Sequence, residues 1–372
     1  MGLLLTLSVN NMPDTDNYPT NHYFHTQRRN LAVLFFFILI LFISFVYALQ
    51  AGSYAVSPEH IIEILLQAIT NSDNSSLSPA EQVVILGFRL PRILLAILTG
   101  MSLAVAGCVM QALLRNPLVS PFTLGLSSAA SFGAAIAIVF GTSLIPFLPQ
   151  FYENVVIIFF AFLFGWLSVL FIYAVSKMKG TSSATLILSG VVLGYIFTAG
   201  VMVLKYITND AKLREITLWL MGGMWGANWN AVLIVAPITI LCILWLESKA
   251  WDLNTLSAGD EVAKNLGVDV DRLRFTGLFV STLAASACLA FTGIIGFIGL
   301  MAPHIGRMLI GNDNRYLIPC SACIGAVILL LSDTAARTMF APVEIPVGVI
   351  MYIIGGAFFM FLILRGYHRV IT

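Results

Sequence analysis

Residues 275–310 form one largely apolar block of 36 residues. As a single helix rising 1.5 Å per residue it would be about 54 Å long, against a hydrocarbon core of roughly 30 Å. The chain must therefore turn back inside the block, and Thr292-Gly293 is the natural break. Read the same way, the rest of the chain gives ten apolar segments. They lie near 31–49, 91–112, 122–140, 154–175, 184–206, 230–246, 275–291, 294–310, 317–336 and 346–364. The composition agrees: 59% of the 372 residues are hydrophobic and 10% are charged, where a soluble domain carries about 25% charged residues. The fold class expected is all-α, a polytopic transmembrane bundle of about ten spans. The membrane domain covers 31–372, and the polar residues 1–30 are expected to be a flexible N-terminal tail.

Orientation follows from Lys and Arg placement. With the N-terminus in the cytoplasm, thirteen Lys and Arg fall on that side and six on the other. Both termini are then cytoplasmic, and so is the long polar loop 247–274. The first apolar run lacks an A-x-A exit and is long enough to span, so no signal peptide is expected. MGLLLT at the start matches a myristoylation pattern, but nothing else in the chain points to a lipid anchor. A net charge of +1 gives no reason to expect a nucleic-acid partner.

The 247–274 loop holds a recognisable local signal. Asp260 suits an N-cap and Gly267 a left-handed C′ residue, which frames a short helix over Glu261–Leu266. Val262, Ala263 and Leu266 would form its apolar face, one that prefers a partner's groove to water. Outside lie a short helix expected at Pro58–Ile69, and an amphipathic stretch followed by a Gly-rich run with Trp219, Trp225 and Trp229. Tryptophans at span edges commonly sit at headgroup level. Small residues recur at helical spacing at Gly100, Ala104 and Gly107, and again at Gly293, Gly296 and Gly299, as in closely packed membrane helices.

Arg89, Arg92 and Arg337 break the positive-inside tendency. They could snorkel to headgroups, Arg337 could pair with Asp333 one turn earlier, or the three could form an outward basic rim for an acidic protein. The five cysteines, Cys320-x-x-Cys323 included, fall in apolar spans and read as small buried residues. His304 reads as a hydrogen-bonded structural residue. The chain contains no G-x-x-x-x-G-K-[ST], H-E-x-x-H or G-x-S-x-G, so neither ATP binding by a phosphate loop nor those catalytic sites are expected. No cofactor or metal is expected.

Five motifs in order carry a resemblance: RLPR at 89–92; MQALLRNPLVSPFTLGLSSAASFGA at 110–134; WLMGGMWGANW at 219–229; LSAGDEVAKNLGV at 256–268; and GIIGFIGLMAPHIGRMLIGNDNR at 293–315, continued by SDTAAR and EIPVGV within 332–349. Over 31–372 the chain resembles the FecCD family of ABC-transporter permeases, a type II importer fold. The resemblance implies a dimer with a second permease subunit, two cytoplasmic ATPase subunits and an external solute-binding protein, in the plasma (inner) membrane of a prokaryote. It gives Gly259, Asp260, Ala263, Leu266 and Gly267 the ATPase-coupling role. It makes Arg89, Arg92 and Arg337 the binding-protein contacts, and Ser189, Gly190 and Gly194 pathway-lining residues. Two departures stand out: a longer tail, in which Met12 is an alternative start, and Ala357 where many relatives carry Pro.

The function implied is import of a metal chelate, a ferric siderophore, with cobalamin, haem or an oxyanion as alternatives. ATP hydrolysis would belong to the separate subunits, so the chain itself is not read as an enzyme. A rival of another class is a proton-coupled secondary transporter using Asp333, Glu344 and Arg337 as a relay.

Overall fold

A computed structural model describes residues 18–52, 54–70, 78–141, 153–179 and 182–365. The elements in order are α1 (Tyr18–Gln50), α2 (Pro58–Thr70), α3 (Pro79–Gln82), a π-helical segment (Val83–Arg89), α4 (Leu90–Leu114), α5 (Leu126–Phe140), α6 (Glu153–Lys179), α7 (Ser183–Ile207) and α8 (Asp210–Met221). They continue as α9 (Trp229–Ser248), α10 (Ala250–Ser257), α11 (Asp260–Asn265), α12 (Val270–Thr292), α13 (Ile298–Ile310), α14 (Asn314–Thr338) and α15 (Val347–Leu364). Every apolar segment read from the sequence contains a helix, but those read as 122–140 and 294–310 become helical only at Leu126 and Ile298. Among the described residues, eight helices are long and apolar enough to cross a membrane, whereas Leu126–Phe140 and Ile298–Ile310 are shorter. At 15 and 13 residues these two reach only about 20 Å along their axes.

The first correction is at the N-terminus. Residues 18–30 are not tail: α1 starts at Tyr18 with Pro19 in its first turn, where a missing N–H costs nothing. No breaker follows, so the helix runs on into the first span. Residues 1–17, with Met12, lie outside the described residues, as do 366–372.

The break inside 275–310 falls where expected. α12 ends at Thr292, and Gly293 takes φ +65°. Residues 293–297 then run non-helically to α13. The matching segment 116–125 joins α4 to α5 and closes on Gly125 at φ +76°. Helices of 25, 15, 27 and 25 residues (α4–α7) thus match helices of 23, 13, 25 and 18 (α12–α15). The C-terminal end of α4 meets the start of α12: Arg274 Nε donates to the Leu113 carbonyl at 3.2 Å. The two blocks therefore run in opposite directions, as in inverted-topology repeats. The end bearing 247–274 is called the loop end below.

α4 is the central post. In its apolar stretch 83% of residues are buried, against 11% for the peripheral α1. Glycines allow this. A Cβ on Gly107 would overlap the Gly299 backbone of α13, and one on Gly100 would overlap Gly325 of α14. Gln111 Nε2 adds a bond to the Gly299 carbonyl at 3.0 Å. In lipid, where apolar burial gives little net drive, such close backbone packing is what holds helices together.

Gly107→Leu should therefore destabilise the fold by about 3 kcal/mol or more. Gly87→Ala, whose Cβ would meet only Val83 Cγ1 at 3.8 Å, should change little. Thermal unfolding of the purified proteins checks this, and equal melting temperatures would contradict it.

Candidate functional site

At the loop end, α10 and α11 are joined through Gly259, whose φ of +119° suits only glycine. α11 closes in a Schellman motif: Gly267 N–H donates to the Lys264 carbonyl at 3.0 Å and Val268 N–H to the Ala263 carbonyl at 3.0 Å. Gly267 holds the left-handed position, φ +88°.

Asp260 is not the cap. It is the first helical residue, and its carboxylate turns inward to Arg274 Nη2 at 2.9 Å and Arg115 Nη2 at 3.4 Å. Arg274 is 3% exposed and also holds the Leu113 carbonyl. One charge-assisted cluster thus ties α11 to α4 and α12.

Ala263 does not share the exposed apolar face expected of it. It is fully buried under the short helix, so it supports α11 from within and lies off its exposed face. The outward surface is Leu266, 70% exposed, and Val262, 45% exposed, flanked by the Glu261–Lys264 pair at 3.6 Å.

The platform beneath was not read from sequence. Asn254 of α10 donates to Asp313 Oδ1 at 2.8 Å and accepts from the Asn314 N–H at 2.8 Å. Arg315 chelates Asp313, with Nη2 at 2.6 Å, and lies over the Trp251 ring at 4.1 Å. Burial alone would raise the Asp313 carboxyl, but the bonds from Arg315 and Asn254 outweigh it and hold it below its ordinary value. Arg115, Arg274, Asn254 and Asp313 had no sequence signal, because their partners are distant in the chain or hidden in span ends.

At the opposite end the three arginines do not form an exposed rim. Arg89 is 6% and Arg337 8% exposed. Arg89 donates to the carbonyls of Leu49 (2.7 Å) and Tyr54, and Arg337 to those of Ala51 (2.7 Å) and Ala48. These are the free carbonyls at and just beyond the end of α1, where a helix is short of partners and its dipole is negative. The two arginines bind the peripheral helix to the end of the π-helical segment and to α14.

Arg92, not Arg337, pairs with Asp333: Nε and Nη2 each lie 3.0 Å from its oxygens, and Nη1 lies 2.9 Å from Glu344. Both carboxylates of the supposed proton relay are thus committed to one guanidinium, and Arg337 is bound elsewhere. The three arginines floor a cleft with Gly52, Tyr54, Phe88 and Glu344.

In α7, Gly190 and Gly194 are buried, and Ser189 is half-buried. A Cβ on Gly190 would sit 3.0 Å from Leu124 Cα. These glycines seat the 116–125 segment, while Tyr195 and Tyr206 stand on the exposed surface of α7. His304 is buried but edge-on to Phe358 and Phe359, and its Nε2 has no hydrogen-bond partner, contrary to expectation. Trp229 donates to the Leu86 carbonyl in the π segment at 2.8 Å.

The model of the FecCD transport family matches residues 39–365. The chain belongs to this family. It is 36% identical over 91% of its length, and 96% of the relative's, to the Fe(3+)-citrate import permease of Bacillus subtilis. It is likewise 36% identical over 90% of its length, and 95% of the relative's, to the molybdate import permease of Haemophilus influenzae. A solved inward-facing structure described as a metal-chelate type ABC transporter superposes with TM-score 0.78 at 34% identity, covering 90% of this chain and 99% of the other. The chain is a multi-pass transport permease of the metal-chelate ABC importer family, whose members work with ATPase and binding-protein partners.

The Asp260 cluster gives a graded expectation. Arg274→Gln removes a buried charged donor and should cost about 2–3 kcal/mol. Arg115→Gln touches a pair whose arginine is 45% exposed and should cost under about 1 kcal/mol. Thermal unfolding separates the two, and equal losses would contradict the assignment.

Proposed function

We propose that this chain is the membrane-spanning subunit of a binding-protein-dependent importer for a ferric siderophore. It pairs with a second permease subunit. Two ATPase subunits engage α11 at the loop end, and a solute-binding protein docks at the opposite end near Arg89, Arg92 and Arg337. It resides in the prokaryotic plasma (inner) membrane with both termini in the cytoplasm. The substrate class rests on the iron-citrate relative and the metal-chelate structural neighbour. An oxyanion, as for the molybdate relative, is the alternative, as are haem and cobalamin.

The observation that carries the reading is the posture of α11. Val262 and Leu266 face outward, while Asp260 and Ala263 are fixed inward, so a push on Leu266 is passed to α4 and α12 through Arg274. Gly259 and Gly267 set the two bends that present the helix. The binding-protein contact at the opposite end would pass through the cleft above the three arginines, with Glu344 at its mouth. Ser189, Gly190 and Gly194 act on the pathway by seating 116–125.

The test is uptake of radiolabelled iron–siderophore into proteoliposomes carrying the complete complex with ATP inside. Wild type should import. Leu266→Asp should lose about tenfold to a hundredfold of ATPase affinity, since an exposed leucine buried at an interface contributes about 1.5–3 kcal/mol. Its melting temperature should hold. Uptake that needs no ATPase and follows the proton gradient would overturn the reading.

A further inference from the structure

Beside α11 lies a cavity of about 310 Å³ that the transport cycle above does not use. Its walls come from the end of α4 (Gln111, Arg115, Asn116), from Ser257 of α10, from Arg307 of α13, and from the turn at Asn312. No carboxylate lines it. Arg115 makes a single long contact with Asp260 at 3.4 Å. Arg307 forms no ion pair among the described residues, and its buried Nη1 has no hydrogen-bond partner. A partly buried guanidinium without an anion is costly.

The remaining polar atoms narrow the ligand. Asn116 uses its Oδ1 to accept from the Leu118 N–H at 2.9 Å, which turns its amide N–H groups to the other side. Gln111 gives its Nε2 to Gly299 and leaves a buried Oε1 with no donor. The cavity thus presents guanidinium and amide donors with no carboxylate among them. A phosphate has the oxygens to meet several such donors at once, and guanidinium forks match them.

We propose that this cavity is an anion site for a phosphate, with Arg307 as the principal ligand and Arg115 and Asn116 as further donors. The phosphate could come from the headgroup of a glycerol phospholipid at the membrane surface or from free phosphate. Because Arg115 also holds Asp260, occupancy would bear on the seating of α11. The site itself does not depend on the transport reading.

The full-length chain, purified in a neutral detergent, is titrated with inorganic phosphate while thermal unfolding is followed. In parallel it is taken from vesicles of phosphatidylglycerol or phosphatidylcholine, and retained lipid is read by native mass spectrometry. Arg307→Gln removes the main ligand. Asn312→Asp, on an exposed rim residue, places a competing carboxylate at the mouth and keeps the test valid if the first variant fails to fold. The wild type should show either a saturable stabilisation by phosphate, which assigns free phosphate, or selective retention of phosphatidylglycerol, which assigns the lipid. Whichever ligand is seen should bind at least tenfold more weakly in both folded variants. Neither effect in the wild type, or equal binding in the variants, would overturn the proposal.

Discussion

A peptide group stripped of water and left unpaired costs several kcal/mol in hydrocarbon, so a broken helix survives in a bilayer only where protein covers it. This chain breaks two helices, at 116–125 and 293–297, and much of its architecture serves to cover them. Gly190 and Gly194 admit the first segment against α7. Gly222, Gly293 and Gly348 bring the second against the turn after α8 and the start of α15: Gly223 N–H donates to the Thr292 carbonyl at 2.8 Å and Gly348 N–H to the Gly222 carbonyl at 3.2 Å. Phe297, left-handed at φ +66°, lays its ring in the groove left by Gly355. The family's glycine-rich motifs read, in this chain, as the places where backbone must touch backbone.

The same economy governs charge. Buried arginines go to carbonyls that helices leave free: Arg89 and Arg337 to the end of α1, Arg274 to Leu113. Buried Asp333 is matched bidentately by Arg92. At both ends of the bundle, charges that resemble docking features are first of all joints between helices. The inner side of α11 is locked to α4 and α12 while its outer side is free, and the proposed coupling rests on that posture.

Much of this was legible in the sequence, wherever one residue type dictates one geometry. The 36-residue apolar block had to break, and it broke at Gly293. Gly267 took the left-handed turn that ends α11. Legibility failed where the answer lay across the fold. A six-residue helix is too short for periodicity to tell Ala263 from Leu266. The choice of Arg92 over Arg337 as the partner of Asp333 spans 241 positions. Asp260 looked like a cap because its partners Arg115 and Arg274 come from two other helices. The polar run before the first span looked like tail because composition, not helix continuity, was the guide.

The central claim is that an ATPase works this bundle through the outer face of α11 and the Asp260 cluster behind it. Hydrogen–deuterium exchange of the permease, alone and with its ATPase subunits, with and without nucleotide, tests it most directly. The account predicts protection of 256–268 on ATPase binding, and nucleotide-dependent change that extends to the facing ends of α4 and α12 around Leu113 and Arg274. Unchanged exchange at 256–268 in the assembled complex would contradict it.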